Sequence, residues 1–346
     1  MEEPNIFEFL SQISRRSSIK EEHKIEADNR CQQKETILSH KEEDGQKQKI
    51  SSFLKTVAKT LTSYKKTIAK IGQKQKIFED PTTALLNLLK KQPDAAKKKD
   101  RYDGRTPLHW AIYKGAPLEV MATLLEVWPH AAKEKDRYGD TPLLLACDRG
   151  APVEVVAAVL EVWPHAVQQK DKYDRTPLHW ACYKGAPLKV VAALLEVWPE
   201  AVKQKDKYQS TPLQMACRCG ASLEVTFLLL NTWLSHKENR TKRAIMTLQR
   251  VTLNCAEDVK DLISHLFALC NNNAGNPSPN EIMDYFVHIE MWNGATLVLD
   301  RNPAVIKTMG LDTKVMADML STVGRCCSLK ALWEVLCNEQ DLLEGV

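Results

Sequence analysis

One ten-residue phrase returns four times at a fixed interval, and it constrains the fold more than anything else in the chain. It reads TPLHWAIYKG at Thr106–Gly115, TPLLLACDRG at Thr141–Gly150, TPLHWACYKG at Thr176–Gly185 and TPLQMACRCG at Thr211–Gly220. Each copy begins 35 residues after the last. A constant period in this range marks stacked units, each unable to bury its apolar face without a neighbour. Thr followed by Pro starts a helix, because the hydroxyl caps a bare N–H and Pro at the first helical position gives up no hydrogen bond. His109 and His179 fall three residues after the cap, where a side chain reaches back to it. The closing Gly ends the helix in the left-handed region, where it costs least. The phrase therefore predicts a short helix of two to three turns.

A second apolar stretch follows each copy: PLEVMATLLEVWP at 117–129, PVEVVAAVLEVWP at 152–164, PLKVVAALLEVWP at 187–199 and SLEVTFLLLNTW at 222–233. Leu118, Met121, Leu125 and Trp128 keep helical spacing, and Val120, Leu124 and Val127 widen the stripe. A helix so apolar needs neighbours on more than one side. A charged connector such as HAAKEKDRYGD at 130–140 then leads through a hairpin-like turn to the next cap.

The unit resembles an ankyrin repeat: a turn, a TPLH-type helix, a longer helix and a return loop. TPLHWA at 106–111 and 176–181 carries the likeness. The WP-led connectors and the closing stretch 316–345 are also similar to uncharacterised algal-type ankyrin-repeat proteins. The resemblance implies an all-α, ankyrin-type helical repeat solenoid that binds other proteins. In such stacks the turn tips and the outer face of the first helix line a concave groove. Here those positions are Tyr102, Arg105, Tyr138, Tyr173, Arg175 and Tyr208 at the turns. On the helices they are Tyr113 with Lys114, Asp148 with Arg149, Tyr183 with Lys184, and Arg218 with Cys219. They read either as solvated polar positions or as a contact surface. Tyr and Arg are common at binding hot spots, which favours the second. The groove is mostly basic, with Asp140 and Asp148 as exceptions, and so suits an acidic peptide or protein surface.

Four segments are expected. Residues 1–48 carry eight Lys/Arg and eleven Asp/Glu and read as a disordered charged tail. RRSS at 15–18 has the form of a basic-directed phosphorylation site. Residues 49–79 form a basic amphipathic helix, with eight Lys and no acidic residue over 49–77. Its apolar face either covers the end of the stack or lies on an anionic membrane or acidic partner. Residues 80–235 hold the array, with a half-repeat at 80–100 followed by four full repeats. Residues 236–346 form a helical capping region, with a loop at 271–280 and two closing helices near 312–323 and 328–338.

No phosphate-binding Gly loop, nucleophile elbow or HExxH motif is present, so no catalysis, cofactor or small-molecule substrate is expected. The net charge of +4 does not point to nucleic acid. Apolar runs such as VVAALL at 190–195 are too short to span a bilayer, and MEEPNIFEFL lacks a signal core. Among ten Cys, the spacing of Cys147, Cys182 and Cys217 follows the repeat, as for small core residues, and forms no zinc motif. Reduced thiols place the chain in the cytoplasm or nucleus.

Overall fold

The computed structural model describes residues 6–7, 9–11, 13, 80–249, 255–271, 275–302 and 304–305. The RRSS site, the basic helix of 49–77 and the closing helices after 311 lie outside the described residues. The chain divides into two units, one of residues 1–201 with 206–208, the other of 202–205 with 209–346.

In the first unit each phrase makes a two-turn helix: α2 (Pro107–Tyr113), α4 (Pro142–Asp148) and α6 (Pro177–Tyr183). Each is followed by a longer partner: α3 (Leu118–Val127), α5 (Val153–Val162) and α7 (Leu188–Val197). The expected half-repeat supplies α1 (Pro81–Lys91). The short helices pack side by side in one layer, and α1, α3, α5 and α7 form the other. Ala111, Ala146 and Ala181 are fully buried, and their small side chains let the layers approach closely. Leu85, Leu108, Leu143 and Leu178 fill the core between them, each stabilising the fold by about 1.5–3 kcal/mol.

The caps form as the phrase requires. The Thr106 hydroxyl accepts the His109 N–H at 3.4 Å, and Thr141 does the same for Leu144 at 3.4 Å. Gly115 sits at φ +63° while the Ala116 N–H closes on the Ala111 carbonyl at 2.8 Å. The longer helices stop earlier than expected. Pro129 opens a 3-10 turn over Pro129–Lys133, repeated at Pro164–Gln168, and buries Ala131, Ala132, Ala166 and Val167. The connector is thus packed structure rather than an open hairpin.

One finding departs from the expected charged tail. Residues 6–7, 9–11 and 13 are helical, and Ile6, Leu10 and Ile13 are buried. The charge averaged over 1–48 masks an apolar cluster confined to the first thirteen positions.

The second unit contains the fourth phrase, as α8 (Pro212–Arg218), and α9 (Leu223–Leu234). It continues through α10 (Lys242–Gln249), α11 (Glu257–Ala268), α12 (Pro279–His288) and α13 (Trp292–Arg301). The expected loop ends at Ser278 rather than 280, because Ser278, Pro279 and Glu281 make a helix start of their own with a reciprocal capping box. The α12–α13 pair ends as the repeats do: Asn302 N–H reaches Val298 carbonyl at 2.7 Å, as Trp198 does with Leu194 at 3.1 Å. Buried Arg240 ties the unit together, donating to the Leu234 carbonyl at 2.7 Å and to Asn293 and Asp300 at 3.2 Å.

Candidate functional site

The turns that display the tyrosines are built on a column of aspartates at 100, 136, 171 and 206. Each uses Oδ1 to accept backbone N–H groups of its own turn. The Tyr102, Tyr138, Tyr173 and Tyr208 N–H groups lie at 2.8, 2.9, 2.7 and 2.9 Å respectively. These bonds fix each Tyr two residues beyond its Asp and hold it outward. Tyr102 is 86 % exposed, Tyr208 67 %, Tyr138 47 % and Tyr173 37 %.

The second carboxylate oxygen fastens the turn to its surroundings. Asp100 accepts the Trp110 indole N–H at 2.6 Å, and Asp171 accepts that of Trp180 at 3.1 Å. Asp136 pairs with Arg105 at 3.3 Å, and Asp206 with Arg175 at 3.7 Å. Arg105 is therefore buried rather than displayed, and Arg175 is largely covered. These two predicted contact residues clamp one turn to the next, because each meets a carboxylate one repeat further on.

The remaining helix positions come together as one patch. The Arg149 guanidinium lies 4.2 Å over the Tyr113 ring, and that of Arg105 lies 4.7 Å from it. Lys114 stands 5.4 Å over Trp110 and 5.6 Å over Tyr113. Asp148 takes an ion pair from Lys184 at 3.3 Å and one from Arg149 at 3.4 Å, linking Tyr113 to Tyr183. Lys184 lies 5.4 Å over Tyr183, and Lys172 lies 5.0 Å over Tyr173 and 5.6 Å over Tyr138. Such pairs contribute about 0.5–1 kcal/mol each at exposed sites, enough to orient side chains without fixing the fold. Tyr183 and Lys184 are exposed, whereas Tyr113 and Lys114 are half-covered.

Trp110, Trp180 and Lys172 were missing from the predicted set. Trp110 meets Tyr113 edge-on at 5.8 Å, and Trp180 meets Tyr183 at 5.7 Å. Their three-residue spacing was the available signal. The chemistry also alternates along the unit: Arg105, Trp110, Tyr113 and Lys114 recur as Arg175, Trp180, Tyr183 and Lys184. The copy between carries Asp140, Leu145, Asp148 and Arg149. Arg218 belongs to the second unit, where it donates to Ser210 Oγ at 2.6 Å, and Cys219 there is exposed.

His109 is occupied at both nitrogens. Its Nδ1 lies 2.8 Å from the Thr106 hydroxyl and 3.3 Å from the Thr106 N–H, and its Nε2 meets the Asp140 carbonyl at 3.1 Å. Burial pushes its pKa down to about 4, so it stays neutral at physiological pH. Burial, reinforced by Asp136, Asp171 and Asp148, raises Asp140 to about 6. Burial likewise takes the Cys147 thiol up to about 12. Among the described residues no three His, Cys, Asp or Glu side chains gather as a metal site, and no helix is long and apolar enough to cross a membrane.

Residues 77–171 and 154–242 each match a family model described as ankyrin repeats (3 copies). No curated protein matches the chain. Ankyrin repeats are in general protein–protein interaction modules and typically not enzymes. The recurring capped helix pairs and this match agree: residues 77–242 are ankyrin repeats.

Proposed function

We propose that this chain is a non-catalytic scaffold that binds another protein, one presenting an acidic peptide or surface, through the concave face of its ankyrin repeats. The observation that carries this reading is the identity of the exposed large apolar side chains. Among the described residues they are Tyr102, Tyr138, Tyr173, Tyr183 and Tyr208, joined by only two valines on the longer helices. Tyr offers a rigid apolar ring with a polar tip, the combination favoured at binding hot spots. Lys114, Arg149, Lys172 and Lys184 give the patch its positive balance, with Asp148 as a partial counterweight.

Affinity capture with the full chain, compared with one carrying Tyr183→Ala and Lys184→Ala, tests this reading. Capture of the partner falls at least ten-fold if the face is the binding surface. Unchanged capture, with an unchanged thermal melt, would refute it. Buried thiols at Cys147, Cys182 and Cys217 support a reducing compartment, the cytoplasm or nucleus. A second reading, a membrane-associated adaptor, rests on the eight lysines and absent acids of residues 49–77. Co-sedimentation of the full chain with anionic liposomes decides it: no salt-sensitive binding removes that role.

A further inference from the structure

We propose that a cleft in the second unit, walled by α10, α11, α12 and α13, binds the phosphate ester of a small polyol through Lys242 and Arg301.

The cleft holds about 660 Å³, within the range of small-molecule sites. Lys242 opens α10, Leu269 and Cys270 follow the end of α11, Ser278 caps α12 and Arg301 ends α13. The lining holds these two cations and no carboxylate. One terminal nitrogen of Arg301 donates to the Leu269 carbonyl at 3.3 Å and the other to the Arg240 carbonyl at 3.1 Å. Both acceptors are neutral, so the guanidinium is oriented while its charge stays uncompensated. Arg240 lies two residues before Lys242, and Leu269 lies one before Cys270, so the same bonds draw the two cations together. Burial raises the Cys270 thiol, and Arg301 and Lys242 both pull against it, which sets both charges near one sulfur.

The carboxylates close by in sequence are spent elsewhere. Asp300 pairs with Arg240 at 3.2 Å, and Glu281 accepts the Ser278 N–H at 2.6 Å to cap its own helix. Two like charges held at one cleft repel, and an anion between them turns that cost into attraction. A phosphate ester suits the pair better than a carboxylate, because it brings nearly two negative charges and three acceptor oxygens. The volume exceeds what a phosphate group alone needs. The remaining polar lining is Asn271, Asn276, Asn302 and Ser278, amides and a hydroxyl that match polyol hydroxyls. Asn276 gives one N–H to the Asn271 carbonyl at 2.6 Å and keeps its amide oxygen and second N–H for a ligand.

The test is isothermal titration of the full chain with inositol phosphate, with inositol and inorganic phosphate alongside. Saturable binding of inositol phosphate is expected, weakened by salt and tighter than that of inorganic phosphate, with none for inositol. Lys242→Glu should weaken it about ten-fold, with an unchanged thermal melt because Lys242 is exposed. Arg243→Glu alters the net charge equally at an exposed position outside the lining, and should leave binding intact. No binding of inositol phosphate, or equal loss in the two variants, overturns the proposal. Inorganic phosphate that binds as tightly as the ester removes the polyol from it. Vesicles of phosphatidylcholine with phosphatidylinositol phosphate separate the two sources of this chemistry. Tighter binding to them than to the soluble ester, lost in Lys242→Glu, assigns a lipid headgroup; equal or weaker binding assigns a free metabolite.

Discussion

Arg105 and Asp136 meet across 31 residues, with the Arg105 Nε 3.3 Å from a carboxylate whose side chain is fully buried. The same carboxylate accepts the Tyr138 and Asp140 N–H groups at 2.9 and 3.0 Å. Asp136→Ala leaves the buried Arg105 Nε and two turn N–H groups without their acceptor, while Arg105 keeps its ion pair with Asp103 at 3.3 Å. The expected loss is about 3–5 kcal/mol, measured by urea unfolding of the full chain. Asp136→Asn keeps the volume and one acceptor oxygen and should lose less.

His109 makes the fold acid-sensitive. Its pKa is about 4 when folded, against 6.5 in the unfolded chain. As pH falls from 6.5 the unfolded chain takes up the proton first, so stability present above 6.5 is lost towards pH 4, by about 3 kcal/mol. Asp140 acts in the opposite sense. Its folded pKa of about 6 lies above the ordinary 3.8, so its ionisation opposes folding as pH rises through that window. His109→Gln should remove the first effect and leave the second. Gln214 already serves as such an acceptor, taking the Thr211 N–H at 2.9 Å. Unfolding midpoints from pH 7 to pH 4 should therefore fall less in the variant, and equal slopes would contradict the assignment.

Thr226 is fully buried, and its hydroxyl has no hydrogen-bond partner among the described residues. The corresponding positions of the three earlier repeats hold Met121, Val156 and Val191. Thr226→Val keeps the shape and removes a desolvated polar group, so stability should rise by about 1–2 kcal/mol. A higher melting temperature checks it.

Gly294 lies in α13 against the Phe286 ring of α12. A Cβ at this position would stand 2.9–3.1 Å from three ring atoms. Gly294→Ala should destabilise the second unit by about 1–3 kcal/mol through overpacking. Adding Phe286→Leu should restore part of the loss, and a double-mutant cycle measures the coupling.

The repeats were legible because their signals are local. Thr106, Pro107 and Gly115 specify a helix start and stop within ten residues, whatever surrounds them. Other features needed the third dimension. Arg105 looks like any exposed turn residue until its partner one repeat away is known. The aspartates were visible as a recurring letter before each Tyr, but their work depends on the turn curling around the carboxylate. The α12–α13 pair is only faintly repeat-like in sequence, because Glu290, at φ +56°, stands where the repeats use glycine. The buried Ile6, Leu10 and Ile13 were lost in an average taken over a longer charged segment. Of the proposed binding face, the Tyr and Lys positions were readable from the variable places in the phrase. Trp110 and Trp180 were not, since a Trp inside an apolar helix reads as core.

The alternation between neighbouring repeats has a geometric consequence. Two identical Trp–Tyr–Lys clusters flank a dissimilar Asp–Arg one, so the surface repeats at twice the helix-pair interval. With helices about 8–10 Å apart, that is about 16–20 Å. A ligand shifted by one interval meets unlike chemistry, and one shifted by two meets its starting contacts again. The face is marked like a ruler in double divisions, and under the proposed binding role these divisions set where along its length a partner comes to rest.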